Sequence, residues 1–383
     1  MKRIFLIIAI VLGVSLNAQQ TPAPPQSEQI AIIGATAHIG NGEVIENCTI
    51  IFKDGKITAI GADLMAPTIG TMINAEGKHV YPGFIDGWLQ IKNNKKTKSP
   101  DDHWNTKIRP EHRAKDDLKL SDKELKALHS IGITAAQIIP ERGIFKGKSD
   151  LIVLDDKTLS LSRDVAQIVE FKTGTWSERA YPNSLLGVIA VIRQTFLDAG
   201  WYSKSDEIVK KYPQENEPIP YNPSLLELSK FQSSRSPIMF VTKEEHGALR
   251  SLKIAEEFNL NIWLLGSGYE YRRLEKIKEQ NPFIIFPLEF PKKPKVGDPH
   301  IALQYSNEQL KHWDMAPDNI QKVFNEGMRF CFTAGTLKKK SDFRKNIQRI
   351  VDRGLSKDIA LAALTTYPAE AMGLDKVIGK IQP

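Results

Sequence analysis

Histidine is the residue type whose spacing most directly reports metal or proton-transfer chemistry, because imidazole binds zinc and titrates near neutral pH. The chain has eight histidines. No two of them stand at i and i+2 in a strand-like run or at i and i+4 on a helical pattern, the spacings that bring two imidazoles to one metal ion. All are therefore expected to be surface residues: His38, His79, His103, His112, His129, His246, His300 and His312.

Two other catalytic patterns are incomplete. The segment from Gly143 to Ser149 resembles a phosphate-binding loop, but three residues lie between its glycines where four are needed. No Gly-x-Ser-x-Gly motif supports a serine nucleophile. The motifs therefore predict neither a nucleotide-phosphate site nor Ser-His-Asp catalysis.

The N-terminus has the pattern of a secretory signal peptide. Lys2 and Arg3 precede an apolar run from Ile4 to Leu16, and Ala18 offers a cleavage site. About thirteen apolar residues are too few to cross a bilayer, which needs ~20. We expect removal of residues 1–18, a flexible proline-rich leader over residues 19–28, and an exported protein, periplasmic or secreted, with no membrane attachment after cleavage.

Composition excludes some partners. The formal net charge is +7, but the lysines are scattered and no aromatic residues interleave them, so a nucleic-acid surface is not expected. Cys48 and Cys331 fall in apolar, strand-like runs. Two buried thiols are expected there, with a disulfide as the alternative in an exported protein.

The elements that must position any site follow from hydrophobic periodicity. Short apolar runs separated by turns predict a small β domain over residues 29–80. From residue 81 onward, strand-like runs such as Ile238 to Thr242 and Phe283 to Pro287 alternate with helical patterns, such as Glu245 to Phe258 and a helix capped by Ser341. The alternation predicts α/β architecture with a closed (β/α)8 barrel, and a doubly wound open sheet is the alternative.

Both ends of this pattern resemble the amidohydrolase superfamily, and in the middle Gly132–Ala135, Ile139-Pro140 and Gly147 resemble its imidazolonepropionase-like branch. Residues 44–61 (VIENCTIIFKDGKITAIG) and 80–86 (VYPGFID) resemble its opening and first barrel strand, and residues 353–381 resemble its closing helices. The resemblance implies a small N-terminal β-sandwich over residues 29–80, a TIM-like barrel over 81–376 and a return to the sandwich over 377–383. Because further returning strands would follow, the chain is expected to be a fragment with an incomplete sandwich.

The resemblance also implies zinc or another divalent metal, which would activate a water molecule for hydrolysis of carbon–nitrogen bonds. The expected ligands, which are histidines on the first, fifth and sixth strands and an aspartate on the eighth, are missing. We predict no catalytic residue, no metal ligand and no cofactor. The family's ligand positions are expected to line a vestigial site: Trp88, Gln90, Val241, Gly266, Ala334 and Gly335.

Three hypotheses for function follow. The first is a degenerate, inert amidohydrolase (a pseudoenzyme) with a binding or scaffold role, whose partner would be an active amidohydrolase domain downstream or in another chain. The second is an active hydrolase of peptide or non-peptide C–N bonds with an unusual site. Its candidate groups are Asp86, Lys148, Asp155, Asp156 and Glu170. The third is a periplasmic protein that binds peptides or sugars between Trp88, Trp263 and Tyr269. The sequence leaves the ligand and the oligomeric state open.

Overall fold

The structure is a computed structural model that describes residues 28–62, 64–92, 103–155, 159–173 and 181–383. The predicted signal peptide, the leader up to residue 27 and Asp156 lie outside the described residues. The described chain divides into two compact units. The first contains residues 28–37, 44–80 and 381–383, and the second contains residues 38–43 and 81–380.

The first unit contains one five-stranded sheet. Its strands are β1 (Ile30–His38), β2 (Val44–Lys53), β3 (Lys56–Gly61), β4 (Thr71–Asn74) and β5 (His79–Val80). The order is β3-β2-β1-β4, and β5 also pairs with β1. Asp54 and Gly55 join β2 to β3 with φ angles of 53° and 74°, as expected for an Asp-Gly hairpin turn. An N-terminal sheet domain is therefore present, and in the described residues it is one sheet rather than the two layers of a sandwich.

The second unit is a mixed α/β structure with two sheets. Its strands are β6 (Phe84–Ile91), β7 (Ile133–Pro140), β8 (Phe145–Lys148), β9 (Asp150–Val153), β10 (Ser160–Ser162), β11 (Gln167–Glu170), β12 (Ile238–Val241), β13 (Ile262–Leu265), β14 (Phe283–Pro287) and β15 (Phe330–Thr333). One sheet has the order β10-β9-β7-β6, and the other has the order β15-β14-β13-β12-β11-β8.

Strand direction matches the predicted alternation of strands and helices. Strands β6 and β7 are parallel, and so are β11 to β15. Only β8, β9 and β10 introduce antiparallel pairs into the two sheets. Within the described residues no hydrogen-bonded ladder joins β6 to β15. The ladders therefore do not close into the single ring that the sequence predicted.

Helices alternate with the later strands. They are α1 (Asp122–His129), α2 (Leu185–Lys211), α3 (Pro223–Ser233), α4 (Glu245–Phe258), α5 (Leu274–Lys278), α6 (Pro299–Ala302), α7 (Asn307–Met315), α8 (Asp318–Asn325), α9 (Asp342–Asp352), α10 (Lys357–Leu364) and α11 (Thr366–Ala371). Helix α4 has the predicted bounds. Ser341 precedes α9, but its hydroxyl makes no capping hydrogen bond. No helix in the described ranges is long and apolar enough to cross a membrane.

Alternate residues of the parallel strands enter two separate buried clusters. Met239, Leu265 and Ile285 belong to the smaller cluster, whereas their neighbours Phe240 and Leu264 belong to the larger one. Both faces of these strands are therefore buried, which explains why they are continuous apolar runs rather than alternating ones. Cys48 and Cys331 are both buried free thiols, as predicted.

Candidate functional site

The carboxyl ends of the parallel strands are where α/β proteins place their active sites. Here those ends carry an indole and aliphatic groups. Trp88 is 4% exposed, Val241 8% and Ala334 1%, whereas Gln90 is exposed and Gly266 is buried. The six predicted lining residues thus provide no imidazole and no carboxylate.

A buried carboxylate connects β6 to β15 although no ladder joins them. Asp86 accepts hydrogen bonds from the amide of Trp88, at 2.9 Å, and from the amide of Ala334, at 3.0 Å. The hydroxyl of Thr333 donates to the carbonyl oxygen of Trp88 at 2.8 Å and accepts from the amide of Gly335 at 2.8 Å. We call these five residues the Asp86 clasp.

The clasp lies in a nearly water-free environment. Asp86 is 1% exposed, and burial raises the pKa of its carboxyl above the usual value. Hydrogen bonds from the amides of Trp88 and Ala334 and the positive charge of Lys340 oppose that rise. Lys340 also donates to the carbonyl oxygen of Ala334, and burial lowers the pKa of its ammonium group. The carboxyl group of Asp86 therefore holds the backbone of β6 to the residue that follows β15.

At Gly335 the backbone after β15 comes very close to the backbone of β6. A β-carbon placed on this residue would lie 1.9 Å from the carbonyl oxygen of Trp88. Gly87 is similarly crowded, because its β-carbon would lie 2.5 Å from the sulfur of Cys331. Only glycine fits these two positions without displacing backbone or core atoms.

Glu170, at the end of β11, is one of the acidic candidates of the active-hydrolase hypothesis. Its carboxylate lies 2.5 Å from the Lys146 ammonium and 3.1 Å from that of Lys243. Burial acts to raise the pKa of Glu170, but the two ammonium groups outweigh it, and the net pKa is lowered. One carboxylate is thus matched by two cations.

Two further candidates of the active-hydrolase hypothesis, Lys148 and Asp155, already have hydrogen-bond or ion-pair partners. Lys148 is buried and pairs with Glu227 at 2.7 Å and with Asp164 at 3.4 Å. Asp155 accepts a hydrogen bond from the amide of Leu159 at 3.4 Å. Lys146 and Lys148 belong to β8, so the phosphate-loop resemblance of this segment corresponds to a strand.

A cavity of about 320 Å³ is formed by the loops that follow β13 and β14 and by helix α7. Tyr269, Tyr305, His312 and Trp313 supply its aromatic lining, and Arg272 its cation. The volume falls within the ~300–1,000 Å³ range of small-ligand pockets. Of the three aromatic residues proposed for a binding mouth, Tyr269 does line a cavity.

The wall of this cavity is a stacked cluster. The rings of Tyr269 and His312 are 3.7 Å apart and nearly parallel, and the Arg272 guanidinium lies 4.7 Å from the Tyr269 ring. Arg272 bonds Glu308 at 2.6 Å and Glu245 at 3.2 Å. Tyr269, His312 and Arg272 are thus each packed or paired within the protein.

The prediction that all histidines are surface residues is wrong for two of them. His312 is 8% exposed, and burial lowers the pKa of its imidazole. His112 is largely buried and lies 2.7 Å from Asp117. Spacing could not reveal these contacts, because the partner of His312 is contributed by a loop more than forty residues away.

Trp263 does not line the mouth, contrary to the binding hypothesis. It is 3% exposed, near the start of β13, and packs on Phe283 at 5.0 Å. It borders a cavity of about 750 Å³ that Asn259, Asn261 and Asn281 also line, beside the amino ends of β13 and β14. Trp88 is likewise buried in the core.

The residues do not fit a divalent metal. Zinc needs three or four nitrogen, sulfur or oxygen ligands around one point. Within the described ranges, no group of three or more His, Cys, Asp or Glu side chains could hold an ion.

No protein-family model matches the chain, and no curated protein matches it. Solved structures do. An amidohydrolase from Thermotoga maritima MSB8 has a TM-score of 0.75 at 18% identity, covering 92% of this chain and 91% of that one. The chain shares the fold of solved amidohydrolases. A Xaa-Pro dipeptidase with methionine bound in its active site gives 0.53 at 13% identity, covering 92% and 91%. An A. niger ochratoxinase gives 0.50 at 12% identity, covering 93% and 87%.

The Asp86 clasp can be tested by Asp86→Asn. The amide group cannot accept from both backbone N–H groups, so the free energy of unfolding should fall by about 1–3 kcal/mol, measured by urea denaturation. The pKa of Asp86 is raised in the folded state. The contribution of its carboxyl is therefore complete below the unfolded-state pKa and is lost as pH rises through the folded-state pKa.

The difference in unfolding free energy between wild type and Asp86→Asn should consequently become smaller as pH rises. Asp358→Asn, at an exposed helical position, should change stability little at any pH. A gap that widens with rising pH would show that the carboxyl acts in its ionised form.

Gly335→Ala tests the close approach to Trp88. The added methyl group must push the two backbone segments apart, so we expect a loss of about 1–3 kcal/mol or more in unfolding free energy. The matched control is Gly297→Ala, where a β-carbon meets nothing within 4 Å. Equal stabilities for the two variants in thermal unfolding would contradict the described packing.

Proposed function

We propose that this chain is a catalytically inert module with an amidohydrolase fold and a binding role. The observation that carries the proposal is the set of side chains at the strand ends, where Trp88, Val241 and Ala334 stand in place of metal ligands. An indole and two aliphatic groups cannot coordinate a divalent cation or activate its bound water.

We also propose that the two sheets of the second unit together form one (β/α)8 barrel. Two observations support this. The Asp86 clasp bonds β6 to β15, and residues of both sheets, such as Ile85 and Ile285, share the smaller buried cluster. That cluster would then be the barrel interior. Layers of bulky side chains fill the interior of such barrels.

Charge pairing supports the inert assignment as well. Glu170 is neutralised by Lys146 and Lys243, and Lys148 by Glu227. A hydrolytic site needs a group that is free to accept a proton at the reacting atom. In this proposal the buried charged residues near the strand ends stabilise the fold.

We assign the binding role to the cavity lined by Tyr269, Tyr305, His312 and Trp313. Its aromatic walls offer stacking surfaces and Lys292 offers positive charge at the same cavity, whereas the charge of Arg272 is already paired with Glu245 and Glu308. Such a lining suits a small ligand that has an apolar body and a carboxylate. The similar Xaa-Pro dipeptidase holds methionine in its active site, so small peptides are the first ligands to test.

Export to the periplasm or the medium, and an active amidohydrolase domain as partner, are part of the same proposal. The basic and apolar start of the sequence supports export. A catalytically inert copy needs a second, active copy if the assembly is to hydrolyse a substrate.

Elemental analysis and activity assays test the inert assignment. Purified protein should carry no stoichiometric zinc, iron or manganese after exchange into metal-free buffer. Added metal should release no amine from dipeptides or cyclic amides. The T. maritima amidohydrolase, assayed in parallel, serves as the control for the method. Tightly bound metal that supports amine release would refute the proposal and restore the active-hydrolase hypothesis.

The binding role is tested by adding small peptides, and separately oligosaccharides, while recording tryptophan fluorescence and melting temperature. Because Trp313 lines the cavity, a bound peptide should change its emission. Tyr305→Ala should weaken binding about tenfold, which corresponds to ~1.4 kcal/mol. Tyr221→Ala, at an exposed residue outside the cavity lining, should bind as wild type does. Equal losses in both variants would exclude this cavity as the site.

A further inference from the structure

Helix α2 is apolar on two opposite faces. One face is buried and contains Val188, Ile192, Phe196 and Ala199. The opposite face carries Leu186, Leu197, Trp201 and Ile208, which are 78%, 56%, 59% and 51% exposed. A helix that is apolar on both sides is normally covered on both.

The exposed residues form one stripe. At about 100° per residue, the steps from Leu186 to Leu197, Trp201 and Ile208 keep all four side chains within an arc of ~60°. Large apolar side chains exposed along one helix face mark a candidate interaction site, and Lys204 is the one charged residue of α2 within the same arc. We call these four residues the outer stripe.

A cavity of about 230 Å³ lies along one flank of the outer stripe. Helix α2 contributes Ala190, Gln194 and Asp198, and the remaining wall includes Trp104 and Tyr181. Trp104 is 73% exposed and Tyr181 52%. The cavity is smaller than the ~300–1,000 Å³ of typical small-ligand sites, so it suits a single large side chain.

We propose that the outer stripe binds the outer stripe of a second copy of this chain, with the two α2 helices antiparallel. Trp201 of each copy enters the cavity of the other. The two-fold axis passes close to Leu197, which then packs on its counterpart, and Leu186 of one copy meets Ile208 of the other.

The positions of Trp201 and of the cavity along α2 set the register of the two antiparallel helices. The cavity is centred on Gln194, one heptad before Trp201, and both lie on the same flank of the stripe. In an isologous pair each patch meets an identical patch, so a two-fold axis midway between Gln194 and Trp201 brings each indole to a cavity. The same axis aligns Leu186 with Ile208. One two-fold axis thus brings Trp201 to the cavity, Leu197 to its counterpart and Leu186 to Ile208.

The available area is adequate. A buried aromatic side chain covers ~150–250 Å², so Trp104, Tyr181 and Trp201 with the three aliphatic residues of the stripe supply most of the ~800 Å² per partner of a standard interface. Self-complementarity favours a second copy over an unrelated protein, because each copy supplies both the inserted side chain, Trp201, and the cavity beside the stripe that receives it.

Sedimentation equilibrium of the full chain over a range of concentrations tests the proposal. Wild type should be a dimer, and Trp201→Glu should weaken dimerisation at least about thirtyfold, as expected for a central tryptophan. Tyr221→Glu is the matched control, since Tyr221 is 75% exposed and lies outside the stripe. It should dimerise as wild type does, and circular dichroism should show that both variants are folded.

A cysteine variant tests the antiparallel register separately. Leu197→Cys should form an inter-copy disulfide on mild oxidation, because both native cysteines are buried and the two introduced residues meet at the axis. Leu303→Cys, at an 85% exposed position, should not. A wild-type monomer at all concentrations up to about 100 µM, or an unchanged dimer in Trp201→Glu, overturns the proposal. Failure of Leu197→Cys to cross-link overturns the register.

Discussion

The second unit depends on a buried carboxylate that joins the first of its parallel strands to the last. Asp86 accepts from the amides of Trp88 and Ala334, and no ladder pairs their strands. A buried acceptor with two backbone donors fixes both chain segments, because leaving either donor without a partner costs free energy. The close approach of Gly335 to Trp88 follows from the same constraint.

The six predicted lining residues at the strand ends include no imidazole and no carboxylate. Solved amidohydrolases share this fold, and at the strand ends Trp88, Val241 and Ala334 are buried as core residues. The charged groups nearby are paired with one another, as in Glu170 with Lys146. The frame itself depends on backbone hydrogen bonding and apolar packing, so the shared fold does not by itself fix a catalytic function.

Two surface features of the second unit bear on the proposed binding role. The cavity beside Tyr269 and His312 has a stacked aromatic wall, and the outer face of α2 exposes four large apolar side chains. Both features fit the proposed binding role. They lie in different parts of the second unit, so a ligand and a second copy would not compete for the same residues.

The sequence alone determined the strand–helix alternation and the bounds of α4, because these depend on local periodicity and residue type. It also identified Cys48 and Cys331 as buried thiols. Tertiary structure alone decided the rest. It buried His312 against Tyr269, paired Glu170 with Lys146 and left Trp263 in the core, away from the mouth. Such contacts join residues distant in sequence, and their burial and partners depend on how the elements pack rather than on any local pattern.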